Sequence, residues 1–367
     1  MDHGGTTLRI WLLFAIAALA GCAGGPPSSP QYSPADARAI IDESLPHGLS
    51  DRSGWLNDIY AAFTVLTVQP SHENVCAVVA VIQQESSFQV DPVIPNLGAI
   101  ARREIDTRAE HAHIPLVIVH GVLGLKSSDG LTYSDRIDRA RTEKDLSDIY
   151  EDFIASVPMG RTLFDDKNPI RTRGPMQVNV VFANEFAAAA PYPYPVQRSI
   201  ADEVFTRRGS IYFGVAHLLD YRAPYDDYVF RFADYNAGQY ASRNAAFQHA
   251  ISVASGIHLD ADGALLPGAS AADATGATEL ALRALAARLA LSDAAIHTAL
   301  LSGKQKSFEQ STLYQRVFNL ADKAAGAPLP RALLPSIELQ GPKIKRRLTT
   351  EWYARRVDQR FHACLKH

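Results

Sequence analysis

From Val75 to Ile82 the chain reads Val-Cys-Ala-Val-Val-Ala-Val-Ile, without one polar side chain. The run predicts a helix over residues 73–87 that has no wet face. A helix that is apolar all round belongs at the centre of a domain. The rest of the chain must therefore supply a shell of helices or strands around it. Hydrophobic periodicity elsewhere favours helices, with no run of alternating strands and no internal repeat.

Ser33-Pro34 with Asp36 opens a helix reaching about Leu45, since proline suits the first helical position and an acid suits the first turn. A second helix is expected from Ser50 or Asp51 to about Leu66. Gly98 to His113 reads as a charged helix, and Ile114 to Leu125 is ambiguous between strand and helix. Ser134 to Val157 reads as one long exposed helix. Further helices fit 179–190, 198–222, 226–235 and 239–254. Gly256 to Gly276 reads as a loop or hinge. Beyond it the pattern fits helices near 277–302, 307–325 and 347–365. Charged residues are 20% of the chain and the net charge is −3, a balance that favours neither disorder nor general nucleic-acid binding.

The N-terminus reads as an address. Arg9 precedes an apolar run from Ile10 to Ala20, followed by Gly21-Cys22. A basic region, a short apolar stretch and small residues describe a secretory signal, too short to stay as a membrane span. Leu19-Ala20-Gly21-Cys22 resembles the lipobox of bacterial lipoproteins, which implies cleavage after residue 21 and lipidation of Cys22. An ordinary signal with a chance cysteine is the alternative. Ala23 in place of aspartate points, by the same resemblance, to the periplasmic face of the outer membrane. Residues 22–33, rich in Pro, Gly and Ser, then form a tether.

Three short segments carry chemistry: Gln83-Gln84-Glu85-Ser86-Ser87-Phe88, Gly174-Pro175-Met176-Gln177-Val178-Asn179 and Phe232-Ala233-Asp234-Tyr235-Asn236-Ala237-Gly238. In this order they resemble the Glu-Ser, Gly-Leu-Met-Gln and Ala-x-Tyr-Asn-Ala-Gly motifs of the soluble-lytic-transglycosylase family. The resemblance implies a mainly α (α+β, lysozyme-like) fold with a helical goose-type-lysozyme core. It would span residues 34–255, with an insertion at about 96–170 and a C-terminal helical extension over 256–367. It also implies a peptidoglycan lyase that cuts between N-acetylmuramic acid and N-acetylglucosamine and needs no cofactor or metal.

Such a reaction needs a carboxylic acid still protonated near neutral pH. Glu85 is suited to this, because it ends an apolar helix where desolvation and the helix C-terminus both disfavour charge. By resemblance, the Tyr235 hydroxyl would hold that carboxyl. Ser86, Gly174, Met176, Gln177, Asn179 and Asn236 would line the substrate cleft. Gly174 would admit close approach of a sugar, Met176 would offer an apolar face and Gln177 would bond an acetamido group. Asn179 also suits a helix N-cap, and Ala237-Gly238 would let helices pack closely. Pro175 departs from the family's leucine. The nearest candidates for a second carboxylate are Asp91 and Asp234. A water-using muramidase and a non-catalytic peptidoglycan-binding lipoprotein are the competing readings.

Other signals are weaker. His111-Ala112-His113 lacks metal-ligand partners, and Asp260-Ala261-Asp262-Gly263 lacks the distal glutamate of a calcium loop. Lys343, Lys345, Arg346 and Arg347 read as a solvated basic face. With Cys22 committed to lipid, Cys76 and Cys364 remain as a disulfide candidate in an oxidising compartment. Two separately buried thiols are the alternative.

Overall fold

A computed structural model describes residues 32–159, 162, 168–267, 275–339 and 346–366. The signal, Cys22, most of the tether, and Lys343 and Lys345 lie outside them. The protein is mainly helical, and the only sheet among the described residues is a short hairpin.

The chain opens with α1 (Pro34–Ser44), α2 (Arg52–Val65) and α3 (His72–Glu85). Ser33 and Asp36 close a capping box at the start of α1, and the Ser71 hydroxyl accepts from Asn74 N at 3.2 Å at the start of α3. Every residue of α3 from Val75 to Ile82 is buried. Next come α4 (Leu97–His111), α5 (Leu116–Leu123), α6 (Tyr133–Arg139) and α7 (Glu143–Ser156). The hairpin β1 (Thr172–Arg173) and β2 (Val178–Asn179) is antiparallel, with Thr172 opposite Asn179 and Arg173 opposite Val178. Then follow α8 (Val180–Ala189), α9 (Ile200–Glu203), α10 (Arg207–Leu219), α11 (Tyr228–Ala237) and α12 (Ala241–Ser255). The last group is α13 (Ala277–Ala284), α14 (Ala286–Leu289), α15 (Asp293–Leu301), α16 (Thr312–Ala325) and α17 (Thr350–Cys364).

Several long helices expected from periodicity are broken into shorter ones. The stretch 134–157 divides at Ala140, because Thr142 and Asp145 form a capping box that restarts the chain as α7. The stretch 198–222 divides where Thr206 caps α10 through Gly209 N. The stretch 277–302 divides at Ala290, which has φ +48°, just before Ser292 caps α15. Apolar periodicity continues across all three breaks, so the caps decide them. The ambiguous Ile114–Leu125 region is helical and begins after Pro115.

Side chains gather into three apolar cores. The first surrounds α3 with residues of α1, α2, α10, α11 and α17. The second joins α12 to α13–α16 around Phe247, Leu282, Phe308 and Val317. The third is small, with Tyr133, Ile137, Ala140 and Ile149 between α4, α6 and α7.

The region after residue 255 is not one extension. Its first part builds the second core, whereas α17 returns to the first and packs on α3 and α11. Tyr353, Ala354, Val357 and Phe361 of α17 are buried there, and Phe361 stacks on Tyr228 with ring centroids 4.8 Å apart. Cys364 is bonded to Cys76 of α3, with α carbons 5.6 Å apart and 288 positions between them in sequence.

Candidate active site

The three motif segments meet at the C-terminal end of α3. Glu85 is the last residue of that helix and is half-buried. The turn beyond it is strained: Ser87 and Phe88 both have positive φ, +51° and +62°. A bulky residue in this region is uncommon and costs on the order of 1–3 kcal/mol. Packing holds it there, since Phe88 lies edge-on to buried Trp55 at 5.1 Å. Ser86 is buried and donates its hydroxyl hydrogen to the Ile82 carbonyl at 3.1 Å, so it finishes the helix.

Two tyrosines face Glu85. Tyr235 of α11 and Tyr353 of α17 are buried, and their pKa values stand well above 10, chiefly from burial and then from the charge of Glu85. The Tyr235 proton goes elsewhere than expected, because its hydroxyl donates to the Met176 carbonyl at 2.7 Å. It ties α11 to the hairpin while bordering the carboxyl. Tyr353 is the group that sequence reasoning missed. Its hydroxyl is directed at Glu85 but makes no fully formed hydrogen bond among the described residues. The apolar stripe of α17 was the signal available, since Tyr353 lies between Trp352 and the buried Val357 on that helix.

The hairpin turn serves the protein's own packing. Gly174 has φ +72°, and a β carbon there would meet the Val204 carbonyl at 2.1 Å, so its openness admits backbone and not a sugar. Met176 is fully buried against Gly214 and offers no apolar face to a ligand. Its amide donates to Ser210 Oγ at 2.9 Å. Gln177 has φ +50°, and its side chain is engaged on both ends: Oε1 accepts from Thr172 Oγ1 at 2.8 Å and Nε2 donates to Glu143 at 3.1 Å. That last bond fastens α7 to the hairpin. Asn179 caps α8, accepting from Val181 N at 2.8 Å and Phe182 N at 3.3 Å.

On α11, exposed Asn236 accepts from Thr350 Oγ1 at 2.8 Å, which joins α11 to the start of α17. Gly238 has φ +108°, and a β carbon placed on it would meet nothing within 4 Å, so it is needed for its backbone and not for close helix packing. Asp234 is fully buried, and its oxygens accept from Tyr240 N (2.9 Å), Ser242 N (2.7 Å), Tyr221 (2.9 Å) and Tyr225. Burial pushes its pKa up to about 7, against those hydrogen bonds. It joins α11 to α12 and is not a second carboxylate beside Glu85. Asp91 is exposed near the start of α7, where burial of its carboxyl raises its pKa.

The site is thus a half-buried acid at the end of a dry helix, walled by two buried tyrosines in a mainly helical protein. The chain belongs to the family described as "Protein of unknown function (DUF1615)", whose model matches residues 48–367. It is similar to "Uncharacterized protein YaiW" of Escherichia coli (strain K12), 47% identical over 356 residues that cover 96% of this chain and 97% of that protein. The family match takes in α4–α7 and α17 together with the motif segments. No solved structure matches.

Proposed function

We propose that the protein is a lytic transglycosylase, a lysozyme-like outer-membrane lipoprotein that cuts peptidoglycan glycan strands. The observation that carries this reading is the placement of Glu85 at the end of α3 against Tyr235 and Tyr353. Weakly solvated surroundings favour the protonated acid that glycosidic cleavage requires. Glu85 donates its proton to the glycosidic oxygen. The bond from that oxygen to C1 of the muramic residue breaks so that N-acetylglucosamine leaves with a free hydroxyl, and the 2-acetamido group of the muramic residue stabilises the cationic centre. The carboxylate then takes the proton of the 6-hydroxyl, closing a 1,6-anhydro ring. A single acid suffices because the substrate supplies the second group, which agrees with Asp234 being engaged elsewhere.

The inward commitment of Met176 and Gln177 favours the competing reading, a glycan-binding scaffold without activity. One experiment separates them. Protein lacking residues 1–22 is incubated with peptidoglycan and the products are read by mass spectrometry. The expected products end in 1,6-anhydromuramic acid, and Glu85→Gln lowers their release by at least about 10²–10⁴-fold, the usual contribution of a general acid. Reducing-end muramic products indicate a hydrolase, and an absence of products indicates the scaffold.

A further inference from the structure

Helices α4–α7 and the segment 169–172 enclose a cavity of about 720 Å³. Ile100, Ile105, Val122, Ile137, Leu146 and Ile149 are among the apolar residues of its wall. Close-packed interiors rarely hold voids much larger than a water molecule, and an apolar void forfeits the dispersion contacts of its lining. A cavity of this size lies in the range of ligand sites.

The chemistry of the wall selects the ligand. The buried side-chain atoms without hydrogen-bond partners, among the described residues, belong to Gln84, His217, Glu309, Tyr353, Asp358 and Arg360, none of which lines the cavity. The acids Glu104 and Glu143 already hold partners, Arg108 at 2.7 Å and Gln177 at 3.1 Å. A glycan strand needs many donors and acceptors and finds few here. An unsubstituted hydrocarbon chain needs none. The mouth is apolar as well: Ile114 and Ile118 line the cavity yet are 46% and 56% exposed, and α5 buries none of its residues. Arg171 is exposed on the cavity's edge, and no carboxylate among the described residues pairs with it. It supplies a positive group where a head group would emerge.

We infer that this cavity binds the hydrocarbon chain of an anionic amphiphile, with the acidic head group at Arg171. The chain could belong to a free fatty acid or to a phospholipid, and the inference is independent of any activity at Glu85.

The test titrates residues 23–367, which retain every described residue, with cis-parinaric acid and follows its fluorescence. Saturable binding of one probe per chain is expected, displaced by palmitate, by palmitoyl-lysophosphatidylglycerol, or by both, which tells the two sources apart. Ala101→Trp fills the cavity and should weaken probe binding at least tenfold. Val119→Trp, on the more exposed α5, does the same if the first variant fails to fold. Arg171→Gln should weaken palmitate about tenfold and leave hexadecanol unchanged. Non-saturable binding, displacement by neither lipid, or full affinity in a folded tryptophan variant overturns the inference.

Discussion

The helix α3 and the helices α4–α7 are both rich in aliphatic residues, yet they use them in opposite ways. Around α3 the apolar residues are sealed on every side, and the one acid at its end is walled by tyrosines. Around α4–α7 four residues form a small buried cluster, and many of the other aliphatic side chains line a cavity or face solvent. Composition alone does not separate these outcomes. What separates them is the number of elements that return to cover each surface: α3 is covered by α1, α10 and α17, whereas none of the described helices lies over the outer face of α5.

The largest test of that contrast is the Cys76–Cys364 bond, which seals the α3 core and has no counterpart among the described residues of α4–α7. In the chain-entropy model a loop of this length contributes about 5.7 kcal/mol. Cys364→Ser should lower the urea midpoint of the α3 core by a corresponding amount while leaving probe binding in α4–α7 intact. An unchanged midpoint would show that the core is sealed by packing alone. A second test compares like with like. Ile82→Ala, in the sealed core, should cost about 3–4 kcal/mol, the upper range for such truncations. Ile137→Ala, on the cavity wall, should cost about 1–2 kcal/mol, because fewer contacts are lost beside a void. Equal costs would mean that the cavity is closed in solution.

Titration offers a third contrast, since the strongly shifted acid and imidazole both lie beside the α3 core. His217 turns Nε2 toward the Tyr235 carbonyl at 3.2 Å, and burial lowers its pKa from 6.5 to about 4. The unfolded chain takes up this proton near pH 6.5 and the folded chain only near 4. Stability therefore falls as pH drops through that window, by about 3 kcal/mol. Asp234 acts in the other direction. Its folded pKa is raised to about 7, so its contribution is present below 3.8 and lost as pH rises through 7. The two slopes oppose each other between pH 4 and 7. His217→Phe should leave a protein that loses stability as pH rises across that range, read from urea midpoints at successive pH values. A variant that instead gains stability there would reverse the assignment.

The smallest effects separate the two tyrosines. Tyr235→Phe removes the bond to the Met176 carbonyl and should cost about 1–2 kcal/mol. Tyr353→Phe removes a buried hydroxyl that lacks a complete partner, and should leave stability unchanged or raise it by about 1 kcal/mol. On the proposed function, the same change lowers glycan cleavage. A Tyr353→Phe protein that is both less stable and fully active would remove Tyr353 from the site.

How much of this was readable in the sequence depends on whether a residue's role is local. The central position of α3 follows from its own unbroken apolar run, and the caps at Ser33, Ser71 and Asn179 follow from residue type and place. The breaks at Ala140 and Ala290 were written in capping residues, but apolar periodicity runs across them. Met176 and Gln177 could not be placed from their motif. Whether a methionine meets a ligand or Gly214 depends on a helix far along the chain. Tyr353 was hidden for a related reason: the cysteine pair and the apolar stripe point α17 toward α3, but neither says which of its side chains reaches Glu85.

That return has a consequence for synthesis. The helix α3 is completed by α17, made much later, and Cys76 waits for a partner 288 positions further along the chain. While the chain is being made, an entirely apolar helix stands without one of its covers until residue 364 has emerged. The helices α4–α7, whose contacts are short in sequence, can assemble in the meantime. A protein built this way matures last at its centre, and any early stop in translation leaves the most aggregation-prone segment of the chain uncovered.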